Sequence, residues 1–135
     1  MRFEKVVMPD PDLFPKAFDR CNLFELPLER ECAHCGEGDV FSRRIAVPGN
    51  FAGSCNFVDY AEVPPGSSIG RHRHKPNEEE FYLVLDGHGE MWRDGDVFPV
   101  RAGDLIRNSP GGAHGLRNVG SKIIRLFVFE LAVAP

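Results

Sequence analysis

Gly66-Ser67-Ser68-Ile69-Gly70-Arg71-His72-Arg73-His74-Lys75-Pro76-Asn77-Glu78-Glu79-Glu80 places two histidines two residues apart and three acids close behind them. Side chains two apart on a strand point to the same face. A strand through His72 and His74 therefore aims both imidazoles at one point. Glu80 opens the apolar run Phe81–Leu85, and His114 follows a second glycine-rich turn, Gly111-Gly112. Three imidazoles and one carboxylate form a plausible first shell for a divalent transition metal. Such a shell needs a fold that brings distant strands together.

Working outward, turn residues recur at short intervals. Pro64-Pro65-Gly66, Asp86-Gly87, Asp94-Gly95, Ala102-Gly103-Asp104 and Ser109-Pro110-Gly111-Gly112 punctuate the chain. Between them lie short segments of strand character: Phe41–Val47, Cys55–Val63, Arg71–His74, Glu79–Leu85, Glu90–Arg93, Asp96–Val100, Leu105–Asn108, Ala113–Asn118 and Lys122–Leu131. Asp94-Gly95 is a strong hairpin signal. The run Ile123–Phe129 is apolar on both faces, so both must be covered. One face suits a core; the other calls for an N-terminal arm, a second sheet or a second subunit. The expected architecture is all-β: a single antiparallel β-barrel or jelly roll over residues 40–135. Residues 1–39, rich in proline and cysteine, read as an arm with one or two short strands, and Asp12–Cys21 as a short helical turn.

Composition narrows the function classes. With 135 residues the chain is most simply one domain. A formal charge of -4 argues against a nucleic-acid partner. No apolar run is long enough to span a membrane, and Met1–Pro9 does not read as a secretory signal. A cytoplasmic location follows as the default, with Cys21, Cys32, Cys35 and Cys55 mostly reduced. Cys21 or Cys55 could complete Cys32-Ala33-His34-Cys35 to the four ligands of a structural zinc site, but the spacings match no familiar zinc pattern, and the βαβ context of a thioredoxin-like motif is missing. Unremarkable thiols are the better reading, and His34 and His88 read as surface residues.

Residues Gly66–Asn118 resemble the two motifs of the cupin superfamily. In the first, Gly66 is followed by five residues, His72-Arg73-His74, and then Glu80, six residues and Gly87. In the second, Gly103 is followed by five residues, Ser109-Pro110-Gly111, His114 and Asn118. Ser109 departs from the family's usual proline, and five residues rather than three or four separate His74 from Glu80. Counting back from Gly87 selects Glu80; counting forward from His74 selects Glu78 or Glu79. Glu80 is preferred, because an extra residue in the Lys75–Asn77 loop is easier than a register slip in a buried strand.

The resemblance implies a small single-domain barrel with His72, His74, Glu80 and His114 as ligands to zinc, iron, manganese, nickel or copper. Small barrels of this kind are often labelled RmlC-like or sugar-phosphate isomerase-like, a label that follows fold more than chemistry.

Charge counting adds an expectation about the ligand. A divalent ion with three neutral imidazoles and one carboxylate keeps a net charge of about +1 and, if octahedral, two open positions. A small polar or anionic molecule, such as a sugar, a sugar phosphate or a carboxylic acid, suits that centre. Isomerase, decarboxylase, lyase and dioxygenase chemistry are all compatible, as is a non-catalytic sensor or binding module. Tyr60, Tyr82 and Trp92 are candidates to line the pocket, and Tyr82, which shares the parity of Glu80, is the candidate donor. Arg107, Arg117 and Arg125 read as outward side chains. The apolar run Ile123–Phe129 and the arm predict a homodimer.

Overall fold

The computed structural model describes residues 19–134. The fold is all-β. Ten strands run β1 Glu29–Glu31, β2 Val40–Ala46, β3 Cys55–Val63, β4 Ser68–Arg73, β5 Glu78–Asp86, β6 His88–Arg93, β7 Asp96–Arg101, β8 Leu105–Asn108, β9 Ala113–Arg117 and β10 Ile124–Ala132. Single 3-10 turns at Leu23–Glu25, Ala33–Cys35 and Pro48–Asn50 complete the described secondary structure. The nine segments expected from sequence all occur, with ends displaced by up to three residues. Most of the helical turn expected at Asp12–Cys21 lies outside the described residues.

The strands form two antiparallel sheets, ordered β1-β2-β3-β10-β5-β8 and β4-β9-β6-β7, a jelly roll. Alternation decides which residues fill the space between them. On β10, Ile124, Leu126 and Val128 are buried while Arg125, Phe127 and Phe129 are half-buried on the other face. The inward set joins Val63, Val84, Met91, Val100 and Leu116 in the main core. A second cluster, Leu28, Phe41 and Tyr60 with Leu23, Leu26, Ile45 and Leu85, lies on the outer face of the large sheet. Residues 23–28 thus cover part of the second apolar face that the sequence demanded.

The turns follow their local chemistry. Asp94 (φ 48) and Gly95 (φ 91) both adopt the left-handed conformation that a two-residue hairpin between β6 and β7 needs. At Gly87 (φ 84) a Cβ would stand 2.6 Å from the Ile123 carbonyl oxygen, so strand and crossing chain touch there. Asp104 accepts a hydrogen bond from the Arg101 amide at 2.8 Å, as a turn residue should. Asn118 is a buried knot: its amide donates to the carbonyls of Val63 (2.8 Å) and Lys122 (2.7 Å), and its oxygen accepts from the Gly120 amide.

Candidate metal centre

Three elements supply the histidine–glutamate cluster, each by a different local device. On β4, Ile69 faces the core, and His72 also points inward although it is an odd number of residues further on. A β-bulge between Ile69 and His72 reconciles the two: Ile69 pairs with Leu116 and His72 with His114, three residues against two. His74 follows the end of β4, where its amide donates to the Gly112 carbonyl at 3.0 Å. A turn at Lys75–Glu78, closed by the Glu78 amide on the Lys75 carbonyl, absorbs the extra residue and starts β5 in a register that turns Glu80 inward. His114, on β9, is 1% exposed.

The ring nitrogens meet at one point. His72 Nε2 lies 3.1 Å from His74 Nε2 and 3.1 Å from His114 Nε2; the last two are 3.2 Å apart. Glu80 Oε1 stands 2.9 Å from His114 Nε2 and 3.2 Å from His74 Nε2. All four donor atoms fall within 4.8 Å of one another.

Two rings have their outer nitrogens engaged. His72 Nδ1 sits 2.7 Å from the Gly70 carbonyl oxygen, which can only accept, so Nδ1 carries the hydrogen and Nε2 presents a lone pair. His74 Nδ1 lies 2.9 Å from Glu130 Oε1 and donates to it. Asn56 holds the other Glu130 oxygen at 2.8 Å. Glu80 Oε1 is buried without a well-formed hydrogen bond. Lone-pair atoms brought this close repel unless a cation or a proton lies between them. Ligands about 2.1 Å from one ion at right angles stand about 3.0 Å apart. The donor set therefore fits a divalent metal, and the partners on Nδ1 are of the type that orients metal-bound imidazoles.

Without an ion, one proton relieves the crowding. Burial alone would lower His74, but the Glu130 and Glu80 carboxylates outweigh it and raise its pKa to about 10. Burial would likewise push Glu80 up; the His114 and His74 rings outweigh it and hold the carboxyl down to about 2. For His72 burial dominates, opposed by the Gly70 carbonyl, and the pKa falls to about 4.

The sequence profile of the cupin domain matches residues 59–130, more than half of the chain. The protein belongs to the cupin family. This cupin is 38% identical over 86 residues to a Thermotoga maritima protein named oxalate-binding protein, a match covering 64% of the chain and 70% of that protein. It is 35% identical over 99 residues to the Streptomyces cyaneus protein named polyketide synthase CurC; the match covers 73% of the chain and 62% of that relative. Among solved structures, a predicted oxalate decarboxylase from Thermotoga maritima superposes with a TM-score of 0.78 at 26% identity, covering 83% of this cupin and 97% of that chain.

The remaining sequence candidates separate cleanly. Glu78 accepts from the Lys75 amide and lies 3.7 Å from His74 Nδ1, on the side of that ring away from the cluster. Glu79 points outward and pairs with Arg107. Tyr82 packs against His114 with ring centroids 4.8 Å apart. Burial, then the charge of Glu80, raises its pKa well above 10, so it stays a neutral phenol. Arg117 pairs with Glu90 at the surface, and Arg125 lies over Phe24. Tyr60 belongs to the outer cluster and Trp92 packs under Arg71, so neither lines the centre. His88 is exposed.

Two residues that touch the cluster escaped the sequence reading. Glu130 is the lone acid of an apolar strand, on the inward parity of Leu126 and Val128; a carboxylate there needs a buried partner, a usable signal. The second is His34, whose ring stacks on His72.

Proposed function

We propose that His72, His74, Glu80 and His114 hold one divalent transition metal, of the zinc, iron, manganese or nickel type, and that this centre binds a small carboxylate. The observation that carries the reading is the meeting of three Nε2 atoms 3.1–3.2 Å apart with the outer nitrogens of His72 and His74 already engaged. A bound ion of this class supplies Lewis acidity to an oxygen ligand. The chain does the rest. The Gly70 carbonyl and the Glu130 carboxylate fix the His72 and His74 rings, and Tyr82 closes the side of His114 against water. The oxalate-binding name of the Thermotoga maritima relative supports a dicarboxylate as ligand.

Metal-dependent turnover of such an acid is the first reading. Binding without turnover is the second, favoured by that relative's name. Elemental analysis of protein purified without chelator or histidine tag tests the metal. Calorimetry with oxalate, then product analysis under air and under argon, separates turnover from binding. Protein that takes up no stoichiometric metal refutes the proposal.

The barrel at residues 40–135, with residues 1–39 as its arm, is proposed to act as a homodimer. The half-buried Phe81, Phe127 and Phe129, with ring centroids 4.8 and 5.9 Å apart, support this as the packing surface. A monomer by light scattering at micromolar concentration counts against it.

A further inference from the structure

The loop Cys32–Glu37 has no role in the centre described so far, yet it reaches it. The His34 ring lies parallel to that of His72, with centroids 3.5 Å apart and an angle of 8° between planes. His34 is otherwise exposed, so one face of its ring is covered by His72 while the residue remains open to solvent.

The backbone bends unusually to achieve this. His34 (φ 50, ψ 42) and Cys35 (φ 56) are consecutive non-glycine residues in the left-handed region, a shape that persists only where the surroundings hold it. They do so at several points. The Cys32 thiol donates to the Gly36 carbonyl at 3.4 Å, and the Gly36 amide to the Ala33 carbonyl at 3.0 Å. The Glu37 amide donates to Ser68 Oγ at 2.8 Å, while the Ser68 amide donates to the Glu37 carbonyl at 2.9 Å. Gly36 and Gly70 let the two backbones touch: a Cβ on Gly70 would stand 2.1 Å from the His34 carbonyl oxygen, and one on Gly36 2.2 Å from that of Ser68. The loop is thus fastened to β4 beside the bulge that turns His72 inward. Gly70 serves twice, since its carbonyl also holds His72 Nδ1.

We infer that His34 is a positioning residue of the metal centre, a clamp whose stacked ring fixes the plane of His72 and so the aim of its Nε2. The inference rests on the metal reading above. Gly70 fixes one atom of the His72 ring; a single hydrogen bond leaves the ring free to rock about it, and a parallel ring at van der Waals distance removes that freedom.

The test uses the full chain and Co(II), followed by calorimetry and by the visible d–d bands, which report ligand geometry. His34→Gly removes the ring and suits the left-handed backbone, so the loop keeps its shape. His34→Phe retains a stacking ring without nitrogen. Metal-free melting temperatures report folding separately. The expected result is Co(II) affinity about three- to tenfold weaker for His34→Gly, the range an aromatic pair contributes, with displaced bands. His34→Phe should restore both. Wild-type affinity and bands in His34→Gly overturn the inference and leave the metal centre standing, as does a His34→Phe variant no better than His34→Gly. Wild-type protein that takes up no Co(II) overturns the metal reading and the clamp together.

Discussion

Glu79 and Glu80 are neighbours on β5 with opposite fates. Glu79 points to solvent, where it pairs with Arg107. Glu80 points between the sheets, 5% exposed, with imidazoles rather than a guanidinium against it. Composition and local sequence barely distinguish the two. One step of strand parity turns a surface acid into the acidic corner of a candidate metal centre. Chemistry here is set by register, and register is set by the turn at Lys75–Glu78 that feeds the strand.

The largest expected break in that comparison is Glu80→Gln. It should weaken Zn(II) or Mn(II) binding more than about a hundredfold, beyond what loss of an orienting partner costs, as measured by competition with a chelator of known affinity. Next comes Glu130→Gln, which leaves all four donors in place but weakens the partner of His74 Nδ1. A loss of about 10- to 100-fold is expected, and an unchanged affinity would remove Glu130 from the site.

The third effect is a pH slope. The metal-free fold holds a proton on His74 with a pKa of about 10 against an ordinary 6.5. That stabilisation is whole below pH 6.5 and is lost as pH rises through about 10. The proton must leave when an ion binds, so metal affinity should rise about tenfold per pH unit between roughly pH 7 and 9. Calorimetry in buffers of different ionisation enthalpy should count one proton released; a slope near zero would contradict the His74 assignment. The smallest effect belongs to Glu79→Gln: metal affinity within about twofold of wild type, and a stability change below about 1 kcal/mol, since the lost pair is exposed. Chemical denaturation measures the latter, and a larger loss would mean that Glu79 helps hold the β5 register.

Much of this was legible in the sequence, and the exceptions have physical causes. Strands could be placed because prolines, glycines and Asp-Gly pairs end them. The parity of His72 and His74 could be read directly. The bulge that sets Ile69 and His72 on one face could not, because an extra residue in one strand is defined only by its partner, β9. His34 was hidden for a related reason: its contact with His72 spans 38 residues and depends on two left-handed backbone conformations that no local motif announces. Glu130 was hidden in plain view, an acid amid phenylalanines whose inward parity was available by counting.

The position of β10 has a consequence for how the protein assembles. The strand latest in chain order is inserted between β3 and β5, at the middle of the large sheet rather than its rim. Until it arrives, β3 and β5 have no common partner and Glu130 is absent from His74. The central pairings join residues as far apart as Cys55 and Leu131, so loop closure must precede most of the reward. Refolding on a millisecond-to-second timescale is the natural outcome of such non-local wiring, with the surroundings of His74 and the central sheet completed by the same closing stroke.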